Sequence, residues 1–313
     1  MLLQSGSAGI FAMKLEVLEV KKRYGAVQAV DGVSLSVSPG RIYGLLGPNG
    51  AGKTTTIRMI MNIIAPDQGQ ILFDGKPIRP VDKNRIGYLP EERGLYRKMV
   101  LNELLHYFAS LKARRRGEVQ ERIDGWLERF DLSDWQLRKV EHLSKGMRQK
   151  VQFIVSVLHD PDILVLDEPF AGLDPLSTEQ LRMAVLDLGR QGKTIVLSTH
   201  IMEQAERMCS SILIIDHGRE VLSGSVDGIK RRFGSNSVIV EFEGDAAVLQ
   251  HCKLTGDVIS YPRWVEAELA PGVTADELLA YLVGKVSIKR FEVLAPSLNK
   301  IFIDQLRKDE EGG

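Results

Sequence analysis

The chain has 313 residues, 44% of them hydrophobic, with 41 basic and 41 acidic side chains and two cysteines. That length and apolar content accommodate one large domain with an appendage, or two domains with real cores. Balanced charge excludes a general electrostatic attraction to nucleic acid or anionic lipid, and Cys209 and Cys252, far apart in sequence, form neither a disulfide framework nor a zinc site, so a reducing cytoplasm fits.

The first dozen residues lack the basic start and long apolar stretch of a secretory signal. Met13 is read as an internal start, leaving 1–13 as a disordered extension. Residues 15–20 and 33–37 alternate apolar and polar side chains and read as antiparallel strands, with turn signals at Gly25 and at Asp31-Gly32. Tyr24 between them is either a packed sheet residue or a stacking surface for a base, and composition favours packing.

Residues 41–46 read as a short buried strand and 55–61 as the start of a helix. Between them Gly47-Pro48-Asn49-Gly50-Ala51-Gly52-Lys53-Thr54 fits the phosphate-loop pattern G-x-x-x-x-G-K-[ST]. The glycines let several backbone N–H groups point at one anion, and the helix dipole adds partial positive charge there. Lys53 supplies a full charge, and Thr54 offers a hydroxyl to a magnesium ion bridging the β- and γ-phosphates. The expected ligand is therefore a nucleoside triphosphate with its metal, held by residues 47–54 and Thr55.

Residues 69–75 and 85–90 read as further strands, the second stopped by Pro90. From about 95 to 160 the period becomes helical, with Leu101, Leu104, Leu105, Phe108 and Leu111 on one face, then Val119, Ile123, Trp126, Leu127 and Phe130 on the next. Residues 163–168 form an apolar run ending in Asp167 and Glu168, as expected of a central parallel strand with functional groups at its C-terminal edge. Residues 194–200, ending in His200, and 212–218 repeat that pattern. The longest apolar runs are strand-sized, far short of the roughly 20 residues that span a bilayer. Strands alternating with helices from 40 to 220 predict an α/β fold with a mostly parallel sheet. Beyond a transition at 222–235, strands at 237–242, 264–269 and 290–293 with helices at 275–283 and 297–306 predict a small α+β domain. The expected division is an extension at 1–13, an α/β domain at 14–228 with its helical insertion, and an accessory domain at 229–313.

The order of phosphate loop, Pro90-Glu91, helical insertion, Leu143-Ser144-Lys145-Gly146-Met147, Asp167-Glu168, Ala171-Gly172-Leu173-Asp174 and His200 resembles the ATP-binding subunits of ABC transporters over nearly the whole chain. Residues 88–96 and the tail around 295–302 are similar to the exporter branch that includes sodium-extrusion ATPases. The resemblance implies a P-loop NTPase core with an antiparallel β subdomain. It also implies that Asp167 holds magnesium, Glu168 activates the attacking water and His200 contacts the γ-phosphate. Tyr24 falls at the family's base-stacking position. Ser144, Gly146 and Asp174 would grip the nucleotide of a second subunit, so two ATP molecules would lie between two such domains, as in a homodimer. Glu91 stands where relatives carry a glutamine that touches magnesium, and Lys145 and Met147 depart from the family signature.

The implied function is an ATPase powering a separate transmembrane permease, an exporter of sodium, drugs or peptides, peripheral on the inner face of the cell membrane. The alternative is an ABC ATPase acting on ribosomes or DNA, whose members pair two cassettes or carry a long coiled coil. A third reading, a nucleotide-binding regulator without turnover, is opposed by the intact Lys53, Asp167, Glu168 and His200. The basic runs at 114–116 and 230–232 lack interleaved aromatics and read as solvated faces, so no nucleic-acid partner is expected. His106, His142, His159, His217 and His251 have no supporting context.

Overall fold

The fold is that of a computed structural model, which describes residues 13–91, 94–112, 116–233, 237–244, 247–250, 252–294 and 296–311. Residues 1–12 of the expected extension, together with Glu92, Arg93, Arg114, Arg115, His251 and Ala295, lie outside that set. Met13, assigned by sequence to the extension, is instead buried in the core, its carbonyl accepting a hydrogen bond from Thr194 Oγ1. The chain divides into two compact units, Met1–Ser223 and Gly224–Gly313.

In the first unit, β1 (Leu15–Tyr24), β2 (Val27–Val37), β4 (Gln68–Phe73) and the two-residue β5 (Lys76–Pro77) form a sheet of order β2-β1-β4-β5, whose pairs are antiparallel. Asp31-Gly32 is not a turn. Gly32, at φ 77°, lies inside β2 where the register against β1 slips between Val20 and Lys21, so its freedom serves a bulge, and the hairpin turns at Gly25.

The second sheet has the order β10-β9-β3-β8-β7-β6, from β3 (Ile42–Leu46), β6 (Ile86–Leu89), β7 (Ile163–Asp167), β8 (Thr194–Thr199), β9 (Ser211–Asp216) and β10 (Arg219–Ser225). The pairs β3 with β8 and β9, and β7 with β6 and β8, are parallel. Every residue of β3, β7 and β8 is buried, which is why β7 reads as a continuous apolar run and β8 has an apolar centre. The core joins Val17, Val20 and Val33 of the first sheet, Ile57 and Ile60 of α1 (Lys53–Ile60), and Val165, Val196 and Leu213 of the second. Each fully buried aliphatic side chain contributes about 1.5–3 kcal/mol. This packing therefore sets the strand ends and the start of α1 in fixed relation.

The helical insertion comprises α2 (Leu101–Ser110), α3 (Arg116–Arg129) and α4 (Lys145–Val157). Phe130 meets Phe153 of α4 edge-on, ring centroids 5.8 Å apart. Leu111, placed on the buried face by periodicity, lies beyond the end of α2 and is 59% exposed, and Ala109 is buried instead. Further helices of this unit are α5 (Pro175–Arg190) and α6 (Met202–Met208), whereas α7 (Val226–Phe233) belongs to the second. No helix among the described residues is long and apolar enough to cross a membrane.

The second unit holds β11 (Ser237–Glu243), α8 (Ala247–Gln250), β12 (Thr255–Ser260), β13 (Val265–Leu269), α9 (Ala275–Leu282), β14 (Ser287–Leu294) and α10 (Leu298–Glu311). Its sheet runs β12-β13-β11-β14 with antiparallel pairs, a split βαβ arrangement whose α9 is set by a Thr274–Glu277 capping box. Strand β12 and helix α8 were not anticipated from sequence.

Candidate active site

The loop between β3 and α1 has a shape only glycine permits at two places. Gly47 has φ 146° and Gly52 φ 107°, and a Cβ there would lie 2.1 Å from Ile215 O and 2.4 Å from Ala29 O. Gly50, at φ 82°, faces open space. No side chain caps α1, whose N-cap is Gly52, so its first N–H groups are left to an anion.

Lys53, only 6% exposed, donates from Nζ to Gly47 O at 2.7 Å and Pro48 O at 3.0 Å, and lies 3.8 Å from Glu168 Oε1. Burial lowers its pKa, against the pull of the Glu168, Asp167 and Glu91 carboxylates. Glu168 follows β7 with φ 47°, an unusual backbone for glutamate. Its N–H is held by Ser198 O and Oγ, both at 3.2 Å, and His200 Nδ1 lies 2.9 Å from its Oε1. The strained turn thus aims a buried carboxylate at both Lys53 and His200.

Asp167, 1% exposed, accepts from Ser198 Oγ at 2.5 Å through Oδ1, while its buried Oδ2 has no partner. Burial raises its pKa; the Ser198 and Thr54 hydroxyls act to lower it, and the charges of Glu91 and Glu168 to raise it. An orphaned, buried carboxylate oxygen beside a hydroxyl and further acidic groups is a fit for a divalent cation.

A cleft of about 690 Å³ gathers Asn49, Gly50, Gly52, Lys53, Thr54, Thr55, Glu91 and Glu168. It also takes Val27, Gln28 and Ala29 from β2, and His217 and Gly218 from the turn between β9 and β10. Tyr24, half exposed, is not among the lining residues, and neither are Gly47, Pro48, Ala51, Asp167 and His200, which flank the cleft; Lys22 Nζ lies 5.9 Å from the Tyr24 ring centroid. His217, set aside by sequence, stands at the cleft, whereas buried His159 is tied to Ile86 O and His106 to Gln120. Ser198 was also missed; its one signal was a hydroxyl two residues before His200 on a strand paired with the carboxylate strand.

Ser144, Gly146 and Asp174 gather elsewhere in the first unit. Ser144 caps α4 by accepting from Met147 N–H, and Asp174 caps α5 by accepting from Ser177 N–H at 2.9 Å. Hydrogen bonds from Ser177 hold the Asp174 carboxyl below its usual range. A Cβ on Gly146 would sit 3.4 Å from Asp174 Oδ2, so the signature helix abuts this cap directly. None of the three lines the cleft.

Comparison with known proteins finds a match to the ABC transporter family over residues 30–171 and to the DrrA1-3-like ATP-binding protein C-terminal domain over 224–306. An uncharacterized ABC transporter ATP-binding protein of Bacillus subtilis, YhaQ, is 42% identical across 93% of this chain and 98% of its own length. The Nod factor export ATP-binding protein I of Paraburkholderia xenovorans is 38% identical over 67% of this chain and 70% of its own. A solved ATP binding subunit of an ABC transporter superposes with a TM-score of 0.66 at 35% identity, covering 70% of this chain and 93% of that one.

Proposed function

This chain belongs to the family of ABC transporter ATP-binding proteins, and on that premise we propose that it is the ATPase subunit of an exporter, acting as one of two copies on a separate membrane permease. The family hydrolyses ATP to power transport, and the relatives matched are transporter proteins, which disfavours a ribosome- or DNA-directed role. The Nod factor relative is named for export, and that name supports the outward direction. Peripheral attachment at the inner face of the membrane follows from binding to the permease, which would select the cargo.

The observation that carries the reading is the position of Glu168 Oε1 in the cleft, between His200 Nδ1 at 2.9 Å and Lys53 Nζ at 3.8 Å. Lys53 and the loop N–H groups would bind the β- and γ-phosphates. Glu168 would take the proton of the attacking water, held in line by His200 and by its two bonds to Ser198. Asp167 and Thr54, with Glu91, would hold magnesium, whose role when bound is to neutralise charge on the phosphates. Ser144, Gly146 and Asp174, clustered outside the cleft, would complete the site of a second copy.

The test is purification of the protein from detergent-solubilised membranes, followed by an ATPase assay with and without a chelator of magnesium. A co-purifying protein with several membrane spans and metal-dependent turnover are expected. Turnover indifferent to the chelator, or purification without any membrane partner, would contradict the assignment.

A further inference from the structure

His217 sits in a two-residue turn with a left-handed backbone. His217 and Gly218 have φ of 44° and 79°, the pair of positive values that a two-residue hairpin between twisted strands demands. Asn-Gly or Asp-Gly is the commonest choice there, and histidine is, with them, among the residues enriched at positive φ. The turn is also braced. Gly218 N–H donates to Ala51 O at 2.9 Å and Asp31 N–H to Gly218 O at 2.7 Å, tying it to the phosphate loop and to β2. His217 N–H donates to Asp216 Oδ1 at 3.0 Å, yet the ring itself is 95% exposed. A rigid backbone therefore carries an aromatic ring with a solvent-facing surface at the edge of the cleft.

Its place along the cleft selects which part of a ligand it meets. Lys53, Thr54 and Glu168 mark the triphosphate end. A Cβ on Gly218 would lie 2.9 Å from Ala29 O, so the turn sits against the β2 segment that contributes Val27, Gln28 and Ala29. That wall has no cation to bind phosphate, and its apolar and amide groups suit a nucleoside. We propose that His217 is a further substrate-binding residue, contacting the adenosine half of ATP rather than the triphosphate. The proposal rests on ATP occupying this cleft.

Steady-state kinetics and tripolyphosphate inhibition of the full-length protein test it, using His217→Asn, which keeps a residue at ease in a left-handed turn. The expected result is a rise in KM for ATP of about fivefold to tenfold, the low end of base–aromatic contacts, appearing in KM rather than kcat. The inhibition constant for tripolyphosphate, which lacks a nucleoside, should stay as in the parent. An unchanged KM, or an equal loss of tripolyphosphate affinity, overturns the proposal. Lys53→Ala is the companion variant. If it binds ATP and tripolyphosphate as the parent does, the cleft is not the ATP site and the underlying reading fails with the proposal; if it loses both, a negative His217 result counts against His217 alone.

Discussion

His200 Nδ1 lies 2.9 Å from Glu168 Oε1, joining the residue after β8 to the residue after β7 across neighbouring parallel strands. The imidazole is 46% exposed and the carboxylate 8%, so the pair links a half-exposed ring to the buried Glu168 that lines the cleft. Glu168 has therefore one orientation set by three groups: Ser198 on its backbone, and His200 and Lys53 on its side chain.

Glu168→Gln should keep ATP binding, hold two copies together in the presence of ATP and cut hydrolysis by roughly a hundredfold or more. Gel filtration with ATP and a phosphate-release assay read both effects. Parent-like turnover would remove Glu168 as the base.

Glu91→Gln should retain most ATPase activity, because the exposed side chain offers an oxygen in either form and the buried Asp167 is the other proposed ligand. Titration of activity against magnesium checks this. Complete loss at unaltered ATP affinity would show that the Glu91 charge itself is needed.

Asp167→Asn should abolish turnover yet raise the melting temperature of the nucleotide-free protein by a few degrees. Burial and the nearby Glu91 and Glu168 charges raise the pKa of Asp167, so its ionised form is a burden without a cation. Such a group contributes stability below its unfolded pKa and loses it as pH rises through the folded one. Melting curves without magnesium at neutral pH should show the gain, and added magnesium should narrow the gap.

Gly47→Ala should destabilise by more than about 3 kcal/mol and destroy nucleotide binding, since its Cβ would meet Ile215 O at 2.1 Å in a backbone at φ 146°. Gly50→Ala meets nothing within 4 Å and should cost only about 1 kcal/mol, from its positive φ. Urea unfolding of the two variants separates steric from conformational cost.

Asp160 opposes burial with a hydrogen bond from Lys193 at 2.8 Å and the charge of Arg122 at 3.3 Å, which together hold its pKa at about 2. Its side chain is 39% exposed, so after solvent screening Asp160→Asn should cost about 1 kcal/mol at neutral pH. Because the folded pKa is depressed, that contribution is present above 3.8 and disappears as pH falls toward about 2. Asn tolerates the φ of 58° here, so the variant isolates the charge. A stability difference that persisted at pH 2 would contradict the ion-pair origin.

Residues whose role is encoded by their neighbours in the chain were legible. The loop at 47–54 is contiguous, and its shape is a backbone turn that eight residues define. Buried parallel strands announce themselves because both faces need apolar side chains. Strand β12 did not, since Thr255-Gly256-Asp257-Val258-Ile259-Ser260 lies at a sheet edge, pairs on one side and needs little apolar content. Asp31-Gly32 misled because a bulge and a turn ask the same positive φ of glycine.

The sequence by itself determined that a G-x-x-x-x-G-K-[ST] loop, two carboxylates and a histidine occur in family order at the ends of strands. Only the tertiary structure decided that His200 and Ser198 orient Glu168, that Asp167 Oδ2 is left without a partner, and that His217 joins the cleft. The reason is one of range. Local propensity and periodicity act over a few residues, whereas these contacts link positions about 30 to 170 apart, which come together only when strands pair and the core between the two sheets closes.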